Sequence, residues 1–169
     1  ITPIINAGNP QPIGLTLKPE HHRLTLAGGS FSTEIKGFIL RSEAAYYIGK
    51  RFVSSNTQGL PIDLLEKDYL HYLVGTDFSI NSTNLSIQFI QQMIQDYQDA
   101  ILQDEMENTV TLMANRTFLQ ETLTLQAFAY VGLNKSDALI RPTITYDFAD
   151  GFEIVTGLTL FVRKDSSDP

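Results

Sequence analysis

A chain of 169 residues is one domain's worth of polypeptide, and its lack of cysteine excludes a disulfide framework, a thiolate metal site and a cysteine nucleophile. A formal charge of −7 speaks against binding to a phosphate backbone, so nucleic acid is not an expected partner. Charged residues make up only 18% and no run of eighteen apolar residues exists, which excludes a transmembrane helix and leaves a surface partly in lipid, or a soluble all-β domain, as the classes this composition suits.

The chain opens on Ile1, from which a processed or excised segment is expected. Residues 1–20 carry Pro3, Pro10, Pro12 and Pro19 with Gly8 and Gly14, a spacing that forbids a helix and predicts a loop or truncated strand. From His21 onward a two-residue polarity period dominates. Across 33–52, one face carries Lys36, Phe38, Leu40, Ser42, Ala44, Tyr46 and Ile48 and is apolar through its middle, and the other carries Ile35, Gly37, Ile39, Arg41, Glu43, Ala45 and Tyr47. In 68–80, Leu70, Tyr72, Val74, Phe78 and Ile80 oppose His71, Gly75, Asp77 and Ser79. Residues 109–118 alternate less cleanly, with Val110, Leu112 and Ala114 on one side. In 122–133, Leu123, Leu125, Ala127, Ala129 and Val131 oppose Thr122, Thr124, Gln126 and Tyr130. In 138–148, Ile140, Pro142, Ile144, Tyr146 and Phe148 oppose Arg141, Thr143, Thr145 and Asp147. In 152–162, Phe152, Ile154, Leu158, Leu160 and Val162 oppose Glu153, Gly157 and Thr159.

One segment supports two readings. In 85–107, Leu85, Phe89, Ile90, Met93, Ile94, Tyr97 and Ile101 fall at helical spacing. A strand over 84–96 is expected instead, because the flanking hairpins need a partner there; a helix would point to a soluble α+β domain.

Connections are expected to be short at 30–32, 81–83, 119–121 and 149–151, with Gly28-Gly29 a turn or bulge before the first of them. Longer ones are expected at 53–67 and 97–108, and 134–137 is a short member of that second set. This alternation matches a transmembrane barrel, whose turns are short on the periplasmic side and longer outside. Strands of about 10 to 13 residues are near the length a tilted strand needs to cross a bilayer. The tail 163–169 reads as an extracellular loop after an outward strand, so at least one further strand is expected beyond it.

These patterns resemble a family of large porin-like outer-membrane proteins of Gram-negative bacteria that remain a domain of unknown function. The resemblance rests on Phe38 to Tyr47 (FILRSEAAYY), Tyr72 to Phe78 (YLVGTDF), Leu85 to Gln92 (LSIQFIQQ) with Asp96-Tyr97, and Arg141 to Gly151 (RPTITYDFADG) leading to Gly157 to Phe161 (GLTLF). It covers roughly residues 21–162. It implies location and architecture, the chain being similar to the C-terminal part of a longer barrel, and it implies no substrate and no catalytic residue.

The candidate site is a charged lumen. Arg41 and Glu43 share a strand face roughly 7 Å apart. Arg23, Asp77, Arg141, Asp147 and Glu153 fall on the same inferred side. Such a set serves either as a filter for solutes or as a structural ladder of cross-strand pairs. The mixed signs predict no strong ion preference. His21 and His22 would point to opposite faces of a strand and cannot share a metal, and His71 stands alone. Asp96, Asp99, Asp104, Glu105 and Glu107 lack calcium-loop spacing and read as a solvated loop. No nucleophile elbow and no phosphate loop is present, so neither an enzyme nor a cofactor is expected; an outer-membrane hydrolase is the enzymatic alternative. Tyr46, Tyr47, Tyr69, Tyr72, Tyr97, Phe118, Tyr146, Phe148, Phe152 and Phe161 cluster toward strand ends and are expected to form interfacial girdles.

The sequence thus predicts an all-β chain: an antiparallel up-and-down meander of about eight or nine strands over 21–162, forming part of a transmembrane β-barrel. Outer-membrane lipid, and the remainder of the barrel or other copies of the chain, are the expected partners. The alternative is a soluble β-rich or α+β binding domain whose apolar faces close into a core.

Overall fold

The computed structural model describes residues 2–3, 15–16, 21–55 and 63–163. Its strands are β1 (Thr2–Pro3), β2 (Leu15–Thr16), β3 (Thr25–Ile35), β4 (Phe38–Val53), β5 (Leu64–Ile80), β6 (Thr83–Ile94), β7 (Met106–Phe118), β8 (Leu123–Gly132), β9 (Asp137–Ala149), β10 (Phe152–Gly157) and β11 (Leu160–Arg163). β1 and β2 pair as a short antiparallel ladder. The others form one antiparallel meander in the order β10-β9-β8-β7-β6-β5-β4-β3, with β11 also on β9. Among the described residues no helix is present; of the 85–107 segment, residues 85–94 enter the sheet in β6 and 106–107 open β7. Gln91 and Met93 are poor strand formers by propensity, but the neighbouring strands supply the ladder that holds them.

Turn chemistry sets the hairpins. Lys36 and Gly37 both take positive φ, 51° and 84°, as do Asn81 and Ser82, 48° and 63°. Two left-handed residues in succession match the right-handed twist of the flanking strands and close a two-residue hairpin. The first turn therefore lies at 36–37 and not at the expected 30–32. Gly28 and Gly29 lie inside β3. A Cβ on Gly28 would come within 2.8 Å of the Ala44 carbonyl oxygen, so glycine is required there by close strand approach.

β10 and β11 act as one interrupted strand. Gly157 pairs with Thr143 and Leu160 with Ile140, so the register is unchanged across the gap. The interruption faces Pro142, which has no N–H to donate; the Leu158 N–H still donates to the Pro142 carbonyl at 3.2 Å. With these two segments joined, β3 to β11 make eight passes through the sheet.

The chain divides into two compact units. The first comprises Ile1–Ala27, Tyr46–Leu70 and Met93–Glu105. It holds every buried hydrophobic side chain among the described residues: Phe52, Tyr69, Ile94 and Ile101, with Tyr47, Leu65 and Tyr97 against them. Residues 95–105 fold back on the end of β4. Ser54 bridges Ile101, the Leu102 N–H donates to the Val53 carbonyl at 3.0 Å, and the Tyr97 hydroxyl donates toward the Ile101 and Gln103 carbonyls at 3.2 and 3.0 Å. The acidic side chains Asp96, Asp99, Asp104 and Glu105 are exposed, as expected of a solvated loop, while Tyr97 and Ile101 of the same stretch turn inward and pin it, and Glu107 lies in β7. The Lys50 Nζ lies 3.5 Å from the Tyr69 ring centroid, so a cation covers one side of this cluster.

The second unit comprises Gly28–Ala45, His71–Gln92 and Met106–Pro169. Its apolar side chains stay exposed: Phe38 47%, Leu40 40%, Ile140 40%, Ile144 44% and Leu158 52%. Arg163 ends β11 and does not begin a tail; residues 164–169, and most of the expected 1–20 loop, lie outside the described residues.

Candidate functional site

Residues directly opposite each other in an antiparallel ladder share a face. The ladder pairings of the second unit therefore sort its side chains without reference to their polarity. One face carries the rows Thr117–Thr124–Thr145–Val155 and Asn115–Gln126–Thr143–Gly157, then Met113–Phe128–Arg141 and Thr111–Tyr130–Leu139–Phe161. The other carries Ala114–Ala127–Pro142, Leu112–Ala129–Ile140–Leu160 and Phe118–Leu123–Tyr146–Ile154. The first face is mixed and mostly polar; the second is almost wholly apolar. Phe161 lies on the polar-face side, opposite Leu139, and so does not belong to an apolar-face girdle.

The sequence-derived charges fall into two pairs and three singletons. Arg41 on β4 and Asp77 on β5 form an ion pair at 2.5 Å, each side chain about a third exposed. The Arg41 Nε is buried with no partner. Asp147 and Glu153 stand directly opposite each other across β9 and β10. Arg141 faces Phe128 and lies six residues from Asp147, about 20 Å along the strand, too far to neutralise it. Glu43 is exposed and lines a concavity of about 440 Å³ with Gly28, Ser30, Ala45, His71, Leu73 and Ile90. Arg23 precedes β3 in irregular backbone, so no strand face is assigned to it. The seven residues do not meet at one level.

Sequence reasoning missed a chain of uncharged polar groups that ends the apolar face near the longer loops. The Tyr72 hydroxyl donates to Gln91 Oε1 at 2.8 Å, and Gln91 Nε2 donates to Asn108 Oδ1 at 2.6 Å. The Asn108 N–H donates to Asn134 Oδ1 at 2.6 Å, and Asn134 Nδ2 donates to the Met106 carbonyl at 3.0 Å. The only sequence signal was Gln91 breaking an apolar run. At the opposite end of the same face stand Phe118 and Tyr146, with ring pairs Phe38–Phe78 at 5.3 Å and Phe148–Phe152 at 5.9 Å. Tyr69 lies in the first unit's core, and Tyr47 and Tyr97 pack against it, half-buried. In that unit His22 Nε2 approaches the Gly49 carbonyl at 3.1 Å and Glu66 at 3.4 Å, and Arg51 approaches Glu66 at 3.8 Å.

Among the described residues no group of three or more His, Asp or Glu side chains is placed to hold a metal ion. The arrangement offers charge, hydrogen bonding and a polar–apolar division. Compared with family models, curated proteins and solved structures, the chain has no match.

Proposed function

We propose that the chain forms part of a Gram-negative outer-membrane β-barrel, porin-like, serving as a channel or barrel scaffold that passes or gates small solutes through a lumen of mixed charge. The observation that carries this reading is the registered apolar face of β7 to β11, which stays exposed while the opposite face holds the Thr, Gln and Arg rows. A soluble sheet would lose roughly 25 cal/mol for each Å² of such surface left in water; hydrocarbon removes that cost.

Dimensions support it. Asn108 and Phe118, at the two ends of the apolar face on β7, are ten residues apart, about 34 Å along a strand. At the tilt usual for barrel strands this is about 26 Å along the bilayer normal, close to the apolar band of such proteins. Stagger supports it too. Leu123, the first residue of β8, pairs with Tyr146, and β9 runs three residues further, to Ala149. Tilted, sheared sheets are what barrel closure needs.

On this reading the partners are outer-membrane lipid and the strands that complete the barrel, from the same protein or from other copies. Function comes from pore width and lumen charge, with no covalent step. Reconstitution in planar bilayers tests it: discrete conductance steps, with ion selectivity altered by Asp77→Asn, are expected. A chain that is monodisperse in plain buffer and silent in bilayers refutes it.

A further inference from the structure

On the registered apolar face one residue breaks the chemistry. Across β7 to β11 the paired positions are Val, Leu, Ala, Ile, Pro, Phe, Tyr and a single Thr, except for Arg116. Arg116 stands opposite Leu125, which stands opposite Ile144, and the Phe118–Leu123–Tyr146 row lies next to it toward the turn. It is exposed, and its guanidinium carbon sits 4.9 Å from the Phe118 ring centroid. That contact aims the guanidinium along the strand toward the turn end, away from the middle of the apolar face. Among the described residues no carboxylate pairs with it.

On a lipid-facing surface a phosphate at the interface would stabilise this cation, because an unpaired charge beside hydrocarbon is costly. A long stem with its head directed at the strand end is the snorkelling geometry, which delivers the head to the interface. The guanidinium fork presents paired N–H donors matched to phosphate oxygens, and the adjacent Phe118, Leu123 and Tyr146 offer apolar surface for the acyl chains beneath such a headgroup.

We propose that Arg116, backed by Phe118, is a binding site for the phosphate of an anionic glycerophospholipid at the turn-side interface. This rests on the membrane reading above and deepens it by naming the lipid.

Native mass spectrometry of the full chain, released from micelles containing phosphatidylglycerol and phosphatidylcholine, tests it. A preferential phosphatidylglycerol adduct is expected, reduced about tenfold by Arg116→Gln and only in part by Arg116→Lys. The double variant Arg116→Gln/Thr117→Arg keeps the net charge but moves the cation to the other face, and its adduct is expected to stay at the Arg116→Gln level. Equal adducts for both lipids, or an unchanged adduct in Arg116→Gln, overturn the site. A wild-type chain that enters no vesicle of either lipid overturns the membrane reading itself, whereas insertion without lipid preference removes only the Arg116 site.

Discussion

Glu153 faces Asp147 directly across β9 and β10, so two carboxylates occupy one cross-strand pair beside the Asp150-Gly151 turn. Like charges in that position repel. Replacing Glu153 by Gln is expected to raise stability by about 0.5 kcal/mol at low salt, and the gain is expected to vanish as salt screens the pair. Chemical denaturation at two ionic strengths checks both parts. An unchanged or lowered midpoint at low salt would show that the pair is held by something other than water.

Arg41 and Asp77 make the opposite case. Their ion pair at 2.5 Å is partly exposed, so its coupling in a double-mutant cycle is expected to be only about 0.5–1 kcal/mol. Its larger effect should be on permeation. Asp77→Asn leaves an unpaired cation and is expected to shift selectivity toward anions, and Arg41→Gln is expected to shift it toward cations. Reversal potentials under a salt gradient report the sign, and shifts in the same direction for both variants would contradict a lumen position.

Neighbouring residues on β9 separate the two faces. Ile144 is 44% exposed on the apolar face, and Thr143 shares the row with Gln126 and Gly157 on the other. In bilayers Ile144→Arg is expected to cost about 2–4 kcal/mol, less if the residue lies near an interface, while Thr143→Arg costs under 1 kcal/mol. Folding titrations in lipid vesicles measure the contrast. Equal costs would mean that both faces meet the same medium.

Ile101 is 3% exposed and anchors the returning 95–105 segment on Phe52, Tyr69 and Ile94. Ile101→Ala is expected to destabilise this cluster by about 2–4 kcal/mol and to open the segment to protease. Limited proteolysis mapped by mass spectrometry should find the first new cuts within 96–105. New cuts that appear first elsewhere would show that Ile101 is not the anchor.

Most strands were legible because they keep a two-residue polarity beat; β7 alternates less cleanly, and β6 also carries a helical spacing, so its place came from the need of its neighbours for a partner. The connections were less so. Lys36-Gly37 carries a weak turn signature, and its residues sit inside an alternating run, so the hairpin was expected several residues early. Phe161 was grouped by residue type with the other aromatics; its register against Leu139 puts it on the opposite face. The acidic 95–105 segment was read by composition, which cannot show that Tyr97 and Ile101 turn inward. Which charges meet depends on strand register, which follows from turn geometry that no local pattern displays: the Arg41–Asp77 and Asp147–Glu153 pairs and the place of Arg116 on the apolar face became visible only with the ladder. The Tyr72–Gln91–Asn108–Asn134 chain draws on three strands and a loop, and no local pattern announces it.

The chain has no cysteine, so single cysteines can be placed at will. Spin labels at successive positions from 138 to 146, in protein reconstituted in lipid vesicles, test the central claim most directly through their relaxation by oxygen, which concentrates in hydrocarbon, and by a water-soluble nickel chelate. Oxygen accessibility is expected to peak at 138, 140, 144 and 146 and chelate accessibility at 139, 141, 143 and 145, in strict antiphase. Labels at Ile140 and Ile144 that collide with the chelate as freely as those at Arg141 and Thr143 would contradict it.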